Sequence, residues 1–300
     1  MCVQSQLIIS LVGPYDLYGE QLIKYCIQEK THYLDLTGEY NFVNRIINKY
    51  NQQAIDNNVL LINCCGFESI IPEIGSFLMV KKLQTSTKQV HLFMRSNGSI
   101  SGGTWNSFLN ALNKKIINSS YHKRASTESY KKIFYHQKLK KWAMIFPTID
   151  RSIVMRTSHS NNSYGSNFSF RQYMLFNSLF KIFGIIFGVS LLKLFIKIPI
   201  INNLIYNLKP SGSGPSDSKR QQSWFKVDVI GSDGKEELEH LIIKGGDPGY
   251  EETAKFISES ALCIIHDNNK LLKHKGFLTP IQCMGSLIIN RLEFQGIIIE

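Results

Sequence analysis

Residues 7–66 decide the fold, because they contain three strand-like runs: LIISLV at 7–12, HYLDL at 32–36 and VLLIN at 59–63. Short apolar runs of this kind are typical of strands that are buried on both faces of a sheet. Gly13-Pro14 stops the first run and Gly66 ends the third. The sequence therefore predicts three strands at the start of the chain, of which the first and the third are buried.

Helices are predicted between these strands. The first runs from about residue 19 to 30, and the second is marked by apolar residues at three- and four-residue steps, which lie on one face of a helix. Those residues are Phe42, Val43, Ile46, Ile47, Tyr50 and Ala54. Alternating strands and helices with short links predict parallel strand pairing, and hence an α/β fold.

The remainder of the chain has a different pattern, which predicts an α+β arrangement. Two antiparallel strands are expected at 225–230 and 240–244, joined around Asp233-Gly234. Further expected elements are a strand at 90–94, helices at 104–117, 250–266 and up to Arg291, and a last apolar strand. The segment that follows residue 117 reads as irregular.

Composition indicates a globular protein. Of the 300 residues, 43% are hydrophobic and 19% charged, enough apolar material for a substantial core. The six cysteines form no Cys-x-x-Cys pair and have no histidine partners at metal-binding spacing. We therefore expect buried thiols in a reducing compartment and no metal site.

Positive charge is concentrated in residues 114–156, which contain eleven Lys and Arg but only two acids. This segment therefore has a net charge of +9, and the whole chain has a net charge of +11. Such a block is compatible with nucleic acid, an anionic membrane or a solvated face. Aromatic residues interleave with the basic ones, but the sequence contains no recognised nucleic-acid-binding fold, so nucleic-acid binding is the weakest of these interpretations.

An apolar stretch, residues 180–208, bears on membrane binding. Lysines interrupt it at Lys181, Lys193 and Lys197, which leaves only residues 182–192 free of charge. A helix of that length spans roughly 16 Å, about half the ~30 Å core of a bilayer. The stretch therefore predicts an interfacial helix, or an apolar hairpin that turns at Pro199. A buried core or dimer helix is the alternative.

Four motifs occur in order along the chain. They are Val12-Gly13-Pro14-Tyr15 with Tyr18-Gly19-Glu20 and Tyr33 to Glu39; Gly66-Phe67-Glu68-Ser69; Gly102-Gly103-Thr104-Trp105; and Gly246 to Tyr250 with Thr253-Ala254-Lys255 and Gly276 to Pro280. Together they resemble the saccharopine dehydrogenase-like oxidoreductases, a family that includes trans-acting enoyl reductases. The second motif departs from the family's usual Gly-Phe-Asp-Ser-Ile-Pro, because it has Glu68 in place of Asp and its proline one position later, at Pro72.

The resemblance implies the C-terminal half of a Rossmann-type parallel sheet, followed by an α+β substrate and dimerisation domain with a hydrophobic helical insert. The family's glycine-rich phosphate loop would then precede residue 1. The implied boundaries are 1–80 for the NAD(P)-binding part, 81–275 for the second domain with its insert at 180–208, and 276–300 for a segment that returns to the first.

The resemblance also implies site residues. Gly13, Pro14, Tyr15, Gly66 and Phe67 would bind the nicotinamide end of the cofactor, since loops at the carboxyl ends of parallel strands line the ligand crevice. Gly103, Thr104 and Trp105 would contact the substrate. No catalytic residue is assigned. Glu39, Glu68 and Lys255 are candidates at the mouth of the site, but the interpretation of each as a surface or structural charge is favoured.

Two functional hypotheses follow. In the first, the chain transfers hydride with NAD or NADP on an unknown, lipid-related substrate. In the second, it is a catalytically inactive fragment, with no cofactor bound, that acts at a membrane or lipid-droplet surface. The resemblance implies a lipid-droplet or organelle-surface location inside the cell, with a mitochondrion as the alternative, a role in glycolipid biosynthesis and a homodimer. Lysine biosynthesis is disfavoured, because no pair of arginines is placed to hold saccharopine's carboxylates.

Overall fold

The structure is a computed structural model that describes residues 1–113, 130–146, 148–210, 212–273 and 275–300. Its first sheet contains β1 (Leu7–Ser10), β2 (His32–Asp35), β3 (Leu60–Ile62) and β10 (Gly276–Leu278). These strands are all parallel and lie in the order β1-β2-β3-β10. Two helices, α1 (Tyr15–Gln28) and α2 (Tyr40–Asp56), carry the chain between the first three strands. The predicted parallel sheet is therefore confirmed.

The two helices pack closely on each other. Five of the six apolar residues that mark α2 in the sequence are buried, namely Phe42, Val43, Ile46, Tyr50 and Ala54. A Cβ atom placed on Gly19 of α1 would lie 2.6 Å from Cζ of Phe42. Glycine at this position therefore lets α1 approach the buried Phe42 ring.

The second sheet is mixed. Its strands are β4 (Thr87–Ser96), β5 (Ile133–His136), β6 (Lys141–Ile145), β7 (Asn167–Phe176), β8 (Phe225–Ser232), β9 (Glu237–Gly245) and β11 (Ile298–Ile299). They lie in the order β11-β9-β8-β4-β7-β6-β5, and only β4 and β7 pair in parallel. The hairpin predicted around Asp233-Gly234 is the turn between β8 and β9.

A central helix, α3 (Phe67–Lys82), connects the two sheets. It packs on β4, β8 and β9 of the second sheet, and it follows directly from β3 of the first. A Cβ on its Gly75 would lie 2.9 Å from Val229 of β8, so the helix lies tightly on the sheet. Three more helices pack on it, α5 (Asp150–Ser160), α9 (Glu251–His266) and α10 (Pro280–Met284), and α11 (Ser286–Phe294) packs on α9 and α10.

The apolar stretch forms two helices, α6 (Leu179–Phe195) and α7 (Pro199–Asn207), and the short α8 (Asp217–Gln221) follows. The second helix begins at Pro199, where the sequence predicted a turn. Most of α6 is exposed, including Phe180 at 88% and Phe187 at 66%. Over the described parts of the chain, no helix combines the length and apolarity needed to cross a membrane.

One stretch differs from the sequence analysis. The segment interpreted as irregular contains β5, β6 and α5, and β7 follows it. Residues 114–129, which carry part of the basic block and the end of the helix predicted at 104–117, lie outside the described residues. Residues 276–300 contribute β10 to the first sheet and β11 to the second.

All six cysteines are free and buried, as the sequence predicted. Cys64 packs in the cluster that contains α1 and α2, whereas Cys65 packs in the cluster around α3. Among the residues that the structure describes, no group of His, Cys, Asp and Glu could hold a metal ion.

The packing of Gly19 predicts a specific effect on stability. Gly19→Ala should lower the free energy of unfolding by about 1–3 kcal/mol, because the new methyl group overlaps the buried Phe42 ring. Gly184→Ala is the matched control, since α6 has nothing within 4 Å of that position and alanine should add about 0.5–1 kcal/mol of helix stability. Urea unfolding of both variants would measure the difference, and equal changes would contradict this account of the packing.

Candidate functional site

Three loops converge at the carboxyl ends of β1, β2 and β3. Gly13-Pro14 follows β1, residues 36–39 follow β2, and residues 63–66 follow β3 and lead into α3. Loops at this edge of a parallel sheet line the crevice in which ligands bind. The structure therefore brings the first and second sequence motifs to one place.

Asp35 holds the second and third loops together. Its buried carboxylate accepts hydrogen bonds from the Thr37 N–H (3.1 Å), the Cys64 N–H (3.0 Å), the Asn63 side-chain amide and the Tyr33 hydroxyl (3.0 Å). Burial raises the pKa of Asp35 to about 6, although these four donors act in the opposite direction. The sequence analysis did not single out Asp35; a carboxylate at the end of an apolar strand was the available signal.

Glu39 caps the start of α1. Its carboxylate accepts hydrogen bonds from the backbone N–H groups of Tyr15 (2.9 Å) and Asp16 (3.0 Å), and from the Ser107 hydroxyl (3.0 Å). A carboxylate at a helix N-terminus satisfies free N–H groups and interacts favourably with the helix dipole. Glu39 therefore has a positioning role, and it joins α1 to α4 (Gly102–Asn113), the helix that carries Ser107.

Tyr15 is buried beneath the loop after β1. Its hydroxyl donates to the Ser10 carbonyl (2.9 Å) and accepts from the Leu36 N–H (3.4 Å). Burial and the nearby Asp35 raise the pKa of Tyr15 far above its usual value, so the phenol stays neutral. A Cβ on the adjacent Gly13 would meet only ordinary contacts, the nearest at 3.6 Å.

Gly66 is the residue before the first turn of α3, and Phe67 and Glu68 form the start of that turn. The Phe67 ring lies in the core, 4.7 Å from the Phe225 ring between centroids, while its N–H donates to the Thr253 hydroxyl (3.2 Å). Burial raises the pKa of Glu68, whose carboxylate folds back toward Gly66. Glu68 thus lies at the start of α3, beside the predicted nicotinamide residue Gly66.

Two buried acids lie behind this turn. Asp150 at the start of α5 accepts from the Ser69 hydroxyl (3.0 Å) and from Thr148, and burial raises its pKa to about 7. Glu73 in α3 accepts from the Ile281 N–H (3.2 Å) and from Thr157, and burial likewise raises its pKa to about 7. Both acids join α3 to neighbouring elements.

The third motif, Gly102 to Trp105, contacts the apolar insert. The Trp105 indole N–H donates to the Ile205 carbonyl of α7 (3.0 Å), and the Gly102 N–H donates to the Ser213 carbonyl (3.0 Å). A Cβ on Gly102 would overlap the Pro210 carbonyl. The motif therefore fixes the insert to α4, and the predicted substrate contacts of Gly103, Thr104 and Trp105 stay a prediction.

The fourth motif packs beside the second. The Thr253 hydroxyl donates to the Pro248 carbonyl (2.8 Å) and accepts from Phe67, so it joins the two motifs across 186 residues of sequence. Lys255 forms an ion pair with Glu252 (3.1 Å), which is itself buried. This pairing accounts for Lys255 without a catalytic role.

Comparisons with known proteins bear on this geometry. No family model matches the chain. The chain is 27% identical over 336 residues to the human saccharopine dehydrogenase-like oxidoreductase, covering 99% of this chain and 77% of that protein. It is 24% identical over 327 residues to a Caenorhabditis elegans protein named lipid droplet localized protein, covering 95% of this chain and 77% of that protein.

Among solved structures, apo histidine-tagged saccharopine dehydrogenase (L-Glu forming) from Saccharomyces cerevisiae superposes with a TM-score of 0.51 at 11% identity, covering 100% of this chain and 85% of that one. This likeness concerns the fold, which is that of a Rossmann-type dehydrogenase with a second sheet. Over 99% of its length the chain is thus similar to proteins named saccharopine dehydrogenase-like oxidoreductase, at 26–27% identity.

The three buried acids predict a pH dependence of stability. Folding raises the pKa values of Asp35, Glu73 and Asp150, so the folded state holds protons that the unfolded chain releases near pH 4. Stability from this source is present at low pH and is lost as pH rises toward about 7. Glu73→Gln should therefore reduce the fall in unfolding free energy between pH 5 and pH 7.5 by on the order of 1–3 kcal/mol.

Urea unfolding at several pH values would measure how the free energy of unfolding changes with pH. Glu239→Gln is the control, because Glu239 is exposed on β9. Identical slopes in both variants would contradict the assignment of Glu73 as a buried, proton-holding group.

Proposed function

We propose that the chain is an NAD(P)-dependent oxidoreductase that acts on an apolar, lipid-related substrate at a lipid surface. The observation that carries this proposal is the position of α4. Through Ser107 it contacts Glu39 in the predicted nicotinamide loops, and through Trp105 it contacts the exposed apolar insert. One helix thus connects the candidate site to the surface that would meet lipid.

The residues at the carboxyl ends of β1 and β3 suit the nicotinamide end of the cofactor. Gly13 leaves the backbone accessible, and Gly66 precedes the N-terminus of α3, whose helix dipole favours negatively charged or polar ligand groups. When bound, the cofactor supplies the hydride. The chain's own part would be to bind and orient it, with Gly13, Pro14, Tyr15, Gly66 and Phe67 around the ring and ribose.

Water exclusion and proton handling are the chain's other tasks. Tyr15 is neutral and its hydroxyl already has two partners, so it would stiffen the loop. Glu68, with its raised pKa, is the acid we propose at the mouth for holding a proton. The name lipid droplet localized protein, carried by the Caenorhabditis elegans homologue, supports a lipid-surface setting.

The insert suits a lipid surface because of its exposed apolar side chains. Phe180, Phe183 and Phe187 of α6 are exposed, and Lys181, Lys193 and Lys197 lie at its ends. An interfacial helix places apolar side chains among acyl chains and lysines at head groups. A surface position is also consistent with the described residues, in which no helix combines the length and apolarity needed to cross a membrane.

Cofactor binding tests the first half of the proposal. Titration of the protein with NADH or NADPH should change the nucleotide's fluorescence, and Gly13→Val should weaken binding at least tenfold, because the side chain would occupy space near the ring. Gly184→Val, in α6, is the matched control and should bind as the wild type does. Binding that is unaffected by Gly13→Val would contradict the placement of the site.

Flotation with vesicles of phosphatidylcholine tests the second half. Phe183→Glu with Phe187→Glu should abolish flotation, because two charges would enter the acyl region. Phe294→Glu is the control, since Phe294 is 90% exposed but lies at the end of α11, outside the insert.

Flotation without nucleotide binding would favour the second candidate function, a catalytically inactive module at lipid surfaces. Equal flotation of the double variant and the wild type would contradict the interfacial role of α6.

A further inference from the structure

A cavity lies on the face of the second sheet that points away from α3. Successive side chains of β4 point to opposite faces of the sheet. Val90 and Leu92 pack in the core around α3, whereas Phe93 packs on the other face in a separate cluster with Tyr173. The cavity has a volume of about 750 Å³, and its walls come from β4, β5, β7 and the turn between β8 and β9. It is therefore separate from the candidate nicotinamide site.

Arg171 of β7 lies at the wall of this cavity and is only 6% exposed. Its Nη1 donates to the Phe170 carbonyl (2.9 Å), and its guanidinium lies over the Tyr130 ring (4.6 Å to the centroid). Its Nε is buried with no hydrogen-bond partner, and it forms no ion pair with a carboxylate of the described residues. A buried charge without a counter-ion is unfavourable unless a ligand supplies one.

The positive charge of Arg171 affects its neighbours. His91, directly opposite on β4, has its pKa lowered to about 4 by burial and by Arg171. Arg151 at the start of α5 has its pKa lowered by burial and by the same guanidinium. Of the two acids in the lining, Glu237 is engaged with His136 (3.3 Å) and Lys138 (2.8 Å). The cavity thus has an excess of positive charge.

The remaining walls are aromatic. The Phe93 and Tyr173 rings stack with their centroids 5.3 Å apart, and the Phe134 ring meets Tyr173 edge-on at 5.2 Å. Planar aromatic surfaces of this kind favour an aromatic or apolar body beside a charged group. A ligand that matched both features would carry an anionic group and an apolar part.

We propose that this cavity binds a small molecule in which a phosphate or carboxylate group is joined to an aromatic or apolar body, with Arg171 as the anchor of the anion. A guanidinium forms paired hydrogen bonds with such groups. Lys131 at the rim adds to the positive field. The site is independent of the proposed oxidoreductase activity.

Thermal unfolding with phenyl phosphate as the probe tests this proposal. At saturation and constant ionic strength the melting temperature of the wild type should rise by about 3 °C, and inorganic phosphate should give a smaller rise. Arg171→Met should keep the melting temperature of the free protein but lose the shift. Arg220→Met, on the surface helix α8, should retain it.

Labelling of the wild type with phenylglyoxal provides a second measurement that does not depend on a variant. Phenyl phosphate should protect Arg171, but not Arg220, from modification, as read by peptide mass spectrometry. Protection of neither residue, or a shift retained in Arg171→Met, would overturn the proposal.

Vesicles distinguish a lipid head group from a free metabolite as the source of the anion. If the source is a head group, phosphatidic acid in phosphatidylcholine vesicles should increase flotation of the wild type but not of Arg171→Met. If it is a free metabolite, phosphatidic acid should have equal effects on both proteins, while phenyl phosphate still binds only the wild type. A change from dimer to monomer in Arg171→Met, with no anion binding by the wild type, would show that a second copy covers this face, which would also overturn the proposal.

Discussion

The burial of α3 between the two sheets is the constraint on which the rest of the structure depends. The helix carries Ile70, Ile71 and Ile74 in the core, and Gly75 allows it to lie directly against β8. Such an arrangement buries a helix on every side, which is uncommon outside large cores. It also fixes the N-terminus of α3 at the carboxyl edge of the first sheet, where the conserved geometry of parallel strands places a ligand crevice.

The first sheet could be predicted from sequence because its signals are local. The short strand runs and the spacing of apolar residues in α2 each act within about a dozen residues, and so does the Asp233-Gly234 turn of the second sheet. The segment β5 to β7 could not be predicted in the same way. Strand β7 buries Arg171 and Gln172 beside Phe170, so the pattern of apolar residues does not reveal which face points to the core. The structure of β7 depends on its pairing with β4, about 80 residues earlier in the chain, and with β6.

The candidate site likewise combines features that local sequence predicts with features that depend on distant contacts. The motifs located the loops around the crevice, but the partners of individual side chains come from distant parts of the chain. Phe67 meets Thr253, and Trp105 meets Ile205. Sequence alone could not decide whether Glu39 and Lys255 are catalytic or structural charges. In the structure Glu39 caps a helix and Lys255 forms an ion pair. Their residue types suit both chemistry and architecture, so three-dimensional contacts are needed to separate the two roles.

The cap formed by Glu39 has a mechanical consequence. The same carboxylate oxygen accepts hydrogen bonds from the Tyr15 N–H and from the hydroxyl of Ser107, which belongs to α4, the helix that contacts the insert through Trp105. Displacement of α4 would remove the Ser107 hydroxyl from that oxygen and so change the carboxylate's hydrogen bonds with the first turn of α1. The position of the insert and the conformation of the loop after β1 are therefore thermodynamically linked. Because linkage is reciprocal, binding at the insert would change the stability of the loop, and binding at the loop would change the stability of the insert's position. A surface that held the insert would act as a remote ligand of the crevice.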